Sequence, residues 1–390
     1  MPSLRPLKVG FQLPEVEREV RWPEIVAMAR LGEQIGFDSV WVGDHLLYRD
    51  ATHGARGPWE AWTMLAAIAA STNRIAIGPL VACTSFHNPA MLAKLAATVD
   101  EISGGRLILG LGAGWNETEY RAYGFPFDQR VSRFAEAFTI IRSLLRDGRV
   151  DFAGEFYSAR DCELVPRPRP GGPPLLVGST GDRMLAITIP YVDAWNAWFL
   201  QTGNRPEGIP ALRAKVDSAC RAAGREPGDV ERTVAVLVRL RGGSGRQQVE
   251  ATATAPPVEG SPEVMAEMLR GFALEGIGHV QLVLDPITEA SLEALAPVLA
   301  HLDRRSACLT AGASRVEPSS WRGSWLGAWQ RSRCPAGPRP RAPRLSGTLR
   351  GRRIRIRLVA GRQRPSAARA AEPAPRLTLR DPREPSERCR

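Results

Sequence analysis

The sequence predicts an α/β fold: an eight-stranded parallel (β/α)8 TIM barrel with a small hairpin insertion and a basic C-terminal tail. Three observations carry this. Eight short apolar runs are each followed by a segment with helical spacing, the alternation that builds a parallel barrel. The runs are continuously apolar, as strands covered on both faces must be, and do not alternate with polar residues. The alternation fills about 300 residues, room for a barrel of about 250 plus insertions.

Leu7–Gln12 reads as the first strand. Pro23–Ile35 carries apolar residues at helical spacing, with Pro23 suited to a first turn and Gly36 ending it. Asp38–Gly43 is the second strand, Trp59–Ser71 an Ala-rich helix and Arg74–Val81 the third strand. Asn88 before Pro89 is a cap-and-first-turn pair that opens a helix to Ile102, and Gly104-Gly105 breaks it before the fourth strand, Arg106–Gly112. Val131–Arg146 is a strongly amphipathic helix. Val150–Leu164 reads as a hairpin insertion around Gly154. The remaining strands are Pro174–Gly178, Asp193–Trp198, Thr233–Leu240 and His279–Leu284, with helices from about Arg183, over Glu207–Ala223, over Pro262–Glu275 with Ser261 as cap, and over Ser291–Leu302.

The chain divides by charge. Its 390 residues carry 52 Lys and Arg against 41 Asp and Glu, a net +11. Residues 304–390 hold 22 Arg, no Lys and 5 acidic residues, so they carry +17 and residues 1–303 carry −6. A barrel domain over 1–303 is thus expected to precede an Arg/Pro-rich tail over 304–390. That tail lacks periodicity and reads as disordered, or as non-native text from a wrong frame or read-through of a GC-rich gene. A basic arm touching nucleic acid or membrane is the alternative, whereas the acidic body gives no reason to expect nucleic acid. Six scattered Cys without a C-x-x-C pair argue against a disulfide scaffold. With no charged leader before an apolar core and no run of about 18 apolar residues, a cytoplasmic protein without membrane spans is expected.

Barrel active sites lie at the C-terminal strand ends. Strand 2 ends in Gly43-Asp44-His45, and a His there is a candidate proton donor or acceptor; the bland alternative is a hydrogen bond to a loop carbonyl. Gly178-Ser179-Thr180-Gly181 at a strand-to-helix turn is a candidate phosphate cradle or an ordinary glycine-capped turn. Gly110, Gly112 and Gly114 have the wrong spacing for a dinucleotide fingerprint; they let a flat ligand approach the strand ends, or serve tight packing. Trp115 and Trp198 are candidate walls for a planar ring, and Trp41 and Trp195 candidate core. Ser103-Gly104-Gly105-Arg106 falls at the bottom of the barrel and is structural by position. The five His are scattered, and neither metal-binding spacing, a phosphate-binding P-loop nor a G-x-S-x-G elbow occurs, so no metal is expected.

Four segments resemble the luciferase-like monooxygenase superfamily in its deazaflavin-dependent branch. They are Gly36–His45, His87–Trp115, the Glu119…Gly124…Phe127…Arg130…Arg133 run with its helix, and Leu175–Asn196. The resemblance covers about residues 7–302. It implies a barrel that binds coenzyme F-420, or alternatively FMN, at the C-terminal strand ends. By position it places catalytic His45 and Asp44 beside the ring. Leu80-Val81 falls where relatives hold a non-proline cis peptide against it. Gly112, Gly114 and Trp115 would line the pocket, and Gly178, Ser179, Thr180 and Gly181 would hold the phosphate. Arg183 would meet the phosphate or an acidic cofactor tail. The glucose-6-phosphate dehydrogenases of this branch carry a catalytic Glu where this chain has Trp115, which argues against that substrate. The implied activity is hydride transfer between coenzyme F-420 and a small organic substrate. The alternatives are an FMN-dependent monooxygenase using molecular oxygen and a non-catalytic flavin-binding barrel. A homodimer is a further implication, since relatives are often dimers.

Overall fold

The computed structural model describes residues 5–51, 53–243 and 254–312, with side chains as far as Asp303. Residues 313–390 lie outside the described residues, and with them most of the basic tail.

The barrel strands are β1 (Lys8–Gln12), β2 (Ser39–Val42), β5 (Ala76–Pro79), β6 (Ala82–Cys83), β7 (Leu109–Gly112), β10 (Leu175–Gly178), β11 (Ala194–Ala197), β12 (Glu231–Arg239) and β13 (His279–Asp285). They form one parallel sheet in the order β5-β2-β1-β13-β12-β11-β10-β7-β6. A parallel bridge from Ile77 to Leu107 carries the β5 edge to the approach of β7 and nearly closes the barrel. Nine segments stand where eight strands are predicted because the third is interrupted. Its run breaks at a cis peptide between Leu80 and Val81, the position the family resemblance indicates, and pairing resumes at Ala82.

The helices pack outside: α1 (Trp22–Ile35), α2 (Ala61–Ser71), α3 (Pro89–Ser103), α5 (Arg130–Asp147), α6 (Asp182–Thr188), α7 (Ile209–Ala222), α8 (Pro262–Leu274) and α9 (Glu289–Gly312). Their caps follow sequence chemistry. Asn88 Oδ1 accepts from the N–H groups of Ala90 and Met91, and Gly36, Gly104 and Gly148 close helices in the left-handed region. The hairpin insertion is β8 (Arg149–Ala153) against β9 (Ser158–Glu163). Two elements escape the sequence reading: a short hairpin, β3 (Tyr48–Asp50) with β4 (Gly54–Arg56), and helix α4 (Glu117–Tyr123). The last helix continues past its predicted end at Leu302. It runs to Gly312, since residues 304–311 contain no Pro or Gly to stop it. No helix among the described residues is long and apolar enough to cross a membrane.

Arg106 shows what the Ser-Gly-Gly-Arg turn is for. Its guanidinium donates to the carbonyls of Ala69 (2.8 Å), Thr72 (2.9 Å) and Ile75 (2.7 Å), tying the exposed end of α2 to the strand that follows it. The Ala69 and Thr72 carbonyls are acceptors that a helix end leaves open. Lys keeps the charge but not the fork, so Arg106→Lys is expected to cost about 1.5 kcal/mol in urea unfolding.

The barrel interior holds a polar chain. Trp41 Nε1 donates to Ser39 Oγ, which lies 2.7 Å from His279 Nε2. The serine keeps a second lone pair and its own proton, so its bond to His279 forms with either imidazole tautomer. Burial, with Lys8 and Arg5 nearby, pushes the His279 pKa well below its ordinary value. The unfolded chain therefore binds a proton the native state refuses. This contribution to stability is full above about pH 6.5 and is lost as the pH falls toward the native pKa, at about 1.4 kcal/mol per pH unit. Urea midpoints measured from pH 7.5 to 5.5 should fall, and His279→Gln should flatten that slope.

Candidate active site

Three loops at the C-terminal face bring together residues that are distant in sequence. The loop after β1 supplies Glu15, the loop after β2 supplies His45 and Tyr48, and α4, after β7, supplies Glu119. His45 Nδ1 lies 3.1 and 3.0 Å from the two Glu119 oxygens. Glu119 is buried and accepts the N–H groups of Leu46 (2.6 Å) and Leu47 (3.1 Å) as well. Asn116 Nδ2 donates to the Leu47 carbonyl. The segment carrying His45 is thus clamped by one short helix and its cap.

The clamp sets the chemistry of the imidazole. Glu119 only accepts, so Nδ1 carries the proton and Nε2 is left to exchange one. Nε2 lies 3.6 Å from Glu15 Oε1, and the His45 side chain keeps 20% of its exposure. Burial works against charge on the ring, but the carboxylates of Glu15, Glu119 and Asp44 outweigh it, so the His45 pKa lies above its ordinary value. Glu15 is held by Gln12 Nε2 (3.0 Å) and the Tyr48 hydroxyl (3.2 Å). It fits there because residue 43 is glycine: a Cβ at Gly43 would come within 2.2 Å of Glu15 Oε1. Tyr48 and Trp115 complete the cluster, with ring centroids 4.7 and 5.7 Å from His45. Trp115 is 60% exposed, unusual for tryptophan in a barrel mouth of otherwise covered rings.

Asp44, expected beside the ring with His45, points elsewhere. It is buried, and its Oδ2 accepts from Cys83 N (2.8 Å) and His87 Nε2 (2.9 Å). Its influence on His45 is electrostatic only, because neighbours on an extended chain project to opposite sides. The glycines have a packing explanation. A Cβ at Gly112 would meet Val81 Cγ2 at 2.6 Å, and one at Gly110 would meet the Pro79 carbonyl at 2.3 Å. One at Gly178 would meet Val81 Cγ1 at 3.1 Å. These three make room for the bulge at Leu80-Val81. Gly114 has φ +75°, and a Cβ there would strike the Tyr120 hydroxyl and Cys83 Sγ. Cys83 is buried, and burial raises its pKa to about 12, so it is no nucleophile.

Leu80 and Val81 are half-buried between fully buried neighbours, so the bulge presents an apolar surface at the barrel mouth. The Ser179–Gly181 loop is also half-open. Gly181 N–H donates to Ser179 Oγ (3.3 Å), and Gln201 Nε2 reaches Thr180 Oγ1 (3.4 Å). Arg183 is exposed and donates to Ser132 Oγ (2.8 Å) at the start of α5. Trp195 is core, with Nε1 on the Ser179 carbonyl, as Trp41 is. Trp198 is half-buried against Phe199. Sequence reasoning missed Glu15 and Tyr48 and gave Glu119 no role. Glu15 stands three residues beyond β1, where the strand-end rule that selected His45 also points.

A family model described as luciferase-like monooxygenase matches residues 9–296. An F-420-dependent glucose-6-phosphate dehydrogenase of Amycolatopsis mediterranei is 32% identical over 238 residues, 59% of this chain and 68% of that protein. The pyrimidine monooxygenase RutA of Cronobacter sakazakii is 33% identical over 174 residues, 43% of this chain and 50% of that protein. The chain therefore spans from half to about two thirds of these relatives. A solved F-420-dependent secondary alcohol dehydrogenase, in complex with an F-420–acetone adduct, superposes with a TM-score of 0.63 at 21% identity. That match covers 77% of this chain and 99% of the other, and it is a likeness of fold.

Proposed function

The chain belongs to the luciferase-like monooxygenase family, and from that premise we propose that it is an oxidoreductase moving a hydride between coenzyme F-420 and a small organic substrate. The observation that carries the proposal is a partly exposed imidazole with Nδ1 tied to the buried Glu119 carboxylate and Nε2 3.6 Å from Glu15 Oε1. That is the arrangement for passing a proton to or from a substrate oxygen while a hydride moves at the adjacent carbon.

The residues present fit a flavin-type group. The half-open Leu80-Val81 bulge offers a flat ring an apolar support. Ser179, Thr180 and Gly181 offer hydroxyl and backbone donors to a phosphate. A bound deazaflavin supplies the hydride chemistry. The protein orients the substrate oxygen on His45 Nε2, holds the imidazole through Glu119, and keeps the neighbouring ring surface dry with Leu80, Val81 and Trp198. In this reading Asp44 and Arg183 act at a distance, Asp44 by its field and Arg183 from the outer edge of the phosphate loop.

The relative with the longer aligned span uses F-420, which favours the deazaflavin. The pyrimidine monooxygenase keeps an oxygen-using flavin enzyme as a second reading. Titrating the full chain separately with coenzyme F-420 and FMN, following tryptophan fluorescence, tests the choice. Micromolar deazaflavin binding with weak FMN binding is the expected result. A preference for FMN together with oxygen uptake would replace hydride transfer by monooxygenation. Tight binding without turnover of any acceptor would leave a carrier.

A further inference from the structure

The proton-exchanging face of His45 is bounded by two kinds of surface. One is charged: Glu15 Oε1 lies 3.6 Å from Nε2, and Glu119 sits on the opposite nitrogen. The other is aromatic: the Tyr48 and Trp115 rings stand 6.2 Å apart, each within 6 Å of the imidazole ring, and Trp115 is mostly open. The carboxylates of Glu15 and Glu119, with Asp44 next in the chain, make the surroundings of this ring negative. A phosphate or carboxylate brought to Nε2 would meet those surroundings and the Glu15 oxygen together, which costs affinity as any like-charge juxtaposition does. A flat apolar group would gain by covering the exposed Trp115 face.

We propose that the substrate is an uncharged alcohol, or the matching carbonyl compound, bearing a flat apolar substituent that lies on Trp115 beside Tyr48 with its oxygen on His45 Nε2. This rests on the hydride-transfer reading and deepens it. In the oxidising direction the carbinol C–H bond breaks and its electron pair leaves with the hydrogen to the oxidised deazaflavin. The O–H proton passes to His45 Nε2, and the C=O bond forms. Reduction runs the same bonds in reverse, with the reduced deazaflavin as hydride donor and His45 returning the proton. Trp115 is the specificity-determining residue, reading the ring, while Glu15 excludes the anion.

The test uses paired probes that differ in charge at a constant ring. Acetophenone and benzoylformate are compared for binding to the full chain by saturation-transfer NMR. 1-Phenylethanol, mandelate and 2-propanol are compared for turnover with coenzyme F-420 as acceptor. Acetophenone should bind and benzoylformate should be at least roughly tenfold weaker. Trp115→Ala should raise the KM for 1-phenylethanol about tenfold and that for 2-propanol far less. Benzoylformate binding as well as acetophenone would overturn the proposal, and so would equal losses for the two alcohols in Trp115→Ala. The binding arm reads the site without the deazaflavin. Selective acetophenone binding without F-420 turnover would therefore condemn the hydride-transfer reading and with it the proposed reaction, while unselective binding with turnover would condemn the substrate class alone.

Discussion

Replacing His45 by Ala is expected to lower turnover by about 100-fold or more while cofactor affinity changes only several-fold. The asymmetry follows from the geometry. The imidazole is partly exposed, and in the proposed reaction its Nε2 would meet the substrate oxygen. The candidate phosphate loop at Ser179–Gly181 comes from a different part of the barrel, after β10. Loss of the ring removes the proton exchanger and leaves that loop in place. The cavity is small and partly open, so folding should survive. The measurement is single-turnover deazaflavin absorbance beside a cofactor titration, each on wild type and variant. Unchanged turnover would remove His45 from the chemistry, whatever the cofactor proves to be.

Glu119→Gln is expected to lower turnover roughly tenfold and to move the controlling inflection of the pH profile to lower pH. Glutamine keeps an oxygen for the N–H groups of Leu46 and Leu47, so the loop stays clamped. The negative charge beside Nδ1 is lost. Glu119 is one of the carboxylates that raise the His45 pKa against burial, so its neutralisation lets that pKa fall. Carbonyl reduction needs the protonated ring and is fast below the His45 pKa; alcohol oxidation needs the neutral ring and is fast above it. In both directions the inflection shifts down. A merely structural role would change the rate without moving the inflection, and Glu119→Asp should restore part of it. In the proposed reaction Glu119 is a positioning residue that would act through His45.

Much of this architecture is legible without coordinates. Apolar runs located eight of the nine barrel strands, all but the two-residue β6 just past the third run, because a strand covered on both faces leaves few places for charge. The caps at Asn88 and Ser261 are local chemistry and behave as such in the structure. The α4 helix was missed because its seven residues, two of them Tyr, are too few to show a period, and its stability comes from docking Glu119 and Tyr120 into the protein. The glycines on β7 were legible as unusual but not in purpose. Their neighbour is Val81 in the break between β5 and β6, and nothing in a G-x-G pattern names the side chain it makes room for.

What the sequence by itself determined is the order of the elements, the barrel they close into, and the face on which a site must form. Those depend on periodicity and chain reversal, which are local or one-dimensional. It also separated an acidic body from a basic tail, since charge is countable. Only the tertiary structure decided which groups meet. His45 and Glu119 are 74 positions apart and meet because β2 pairs with β5 and β5 bridges to the approach of β7, which sets the loops after β2 and β7 at one mouth. The same closure turns Asp44 away to His87 and brings Glu15 to the far side of the imidazole. Chemistry at that face depends on distances of 3 to 4 Å across loops, and such distances arise from register and packing, which no single segment encodes.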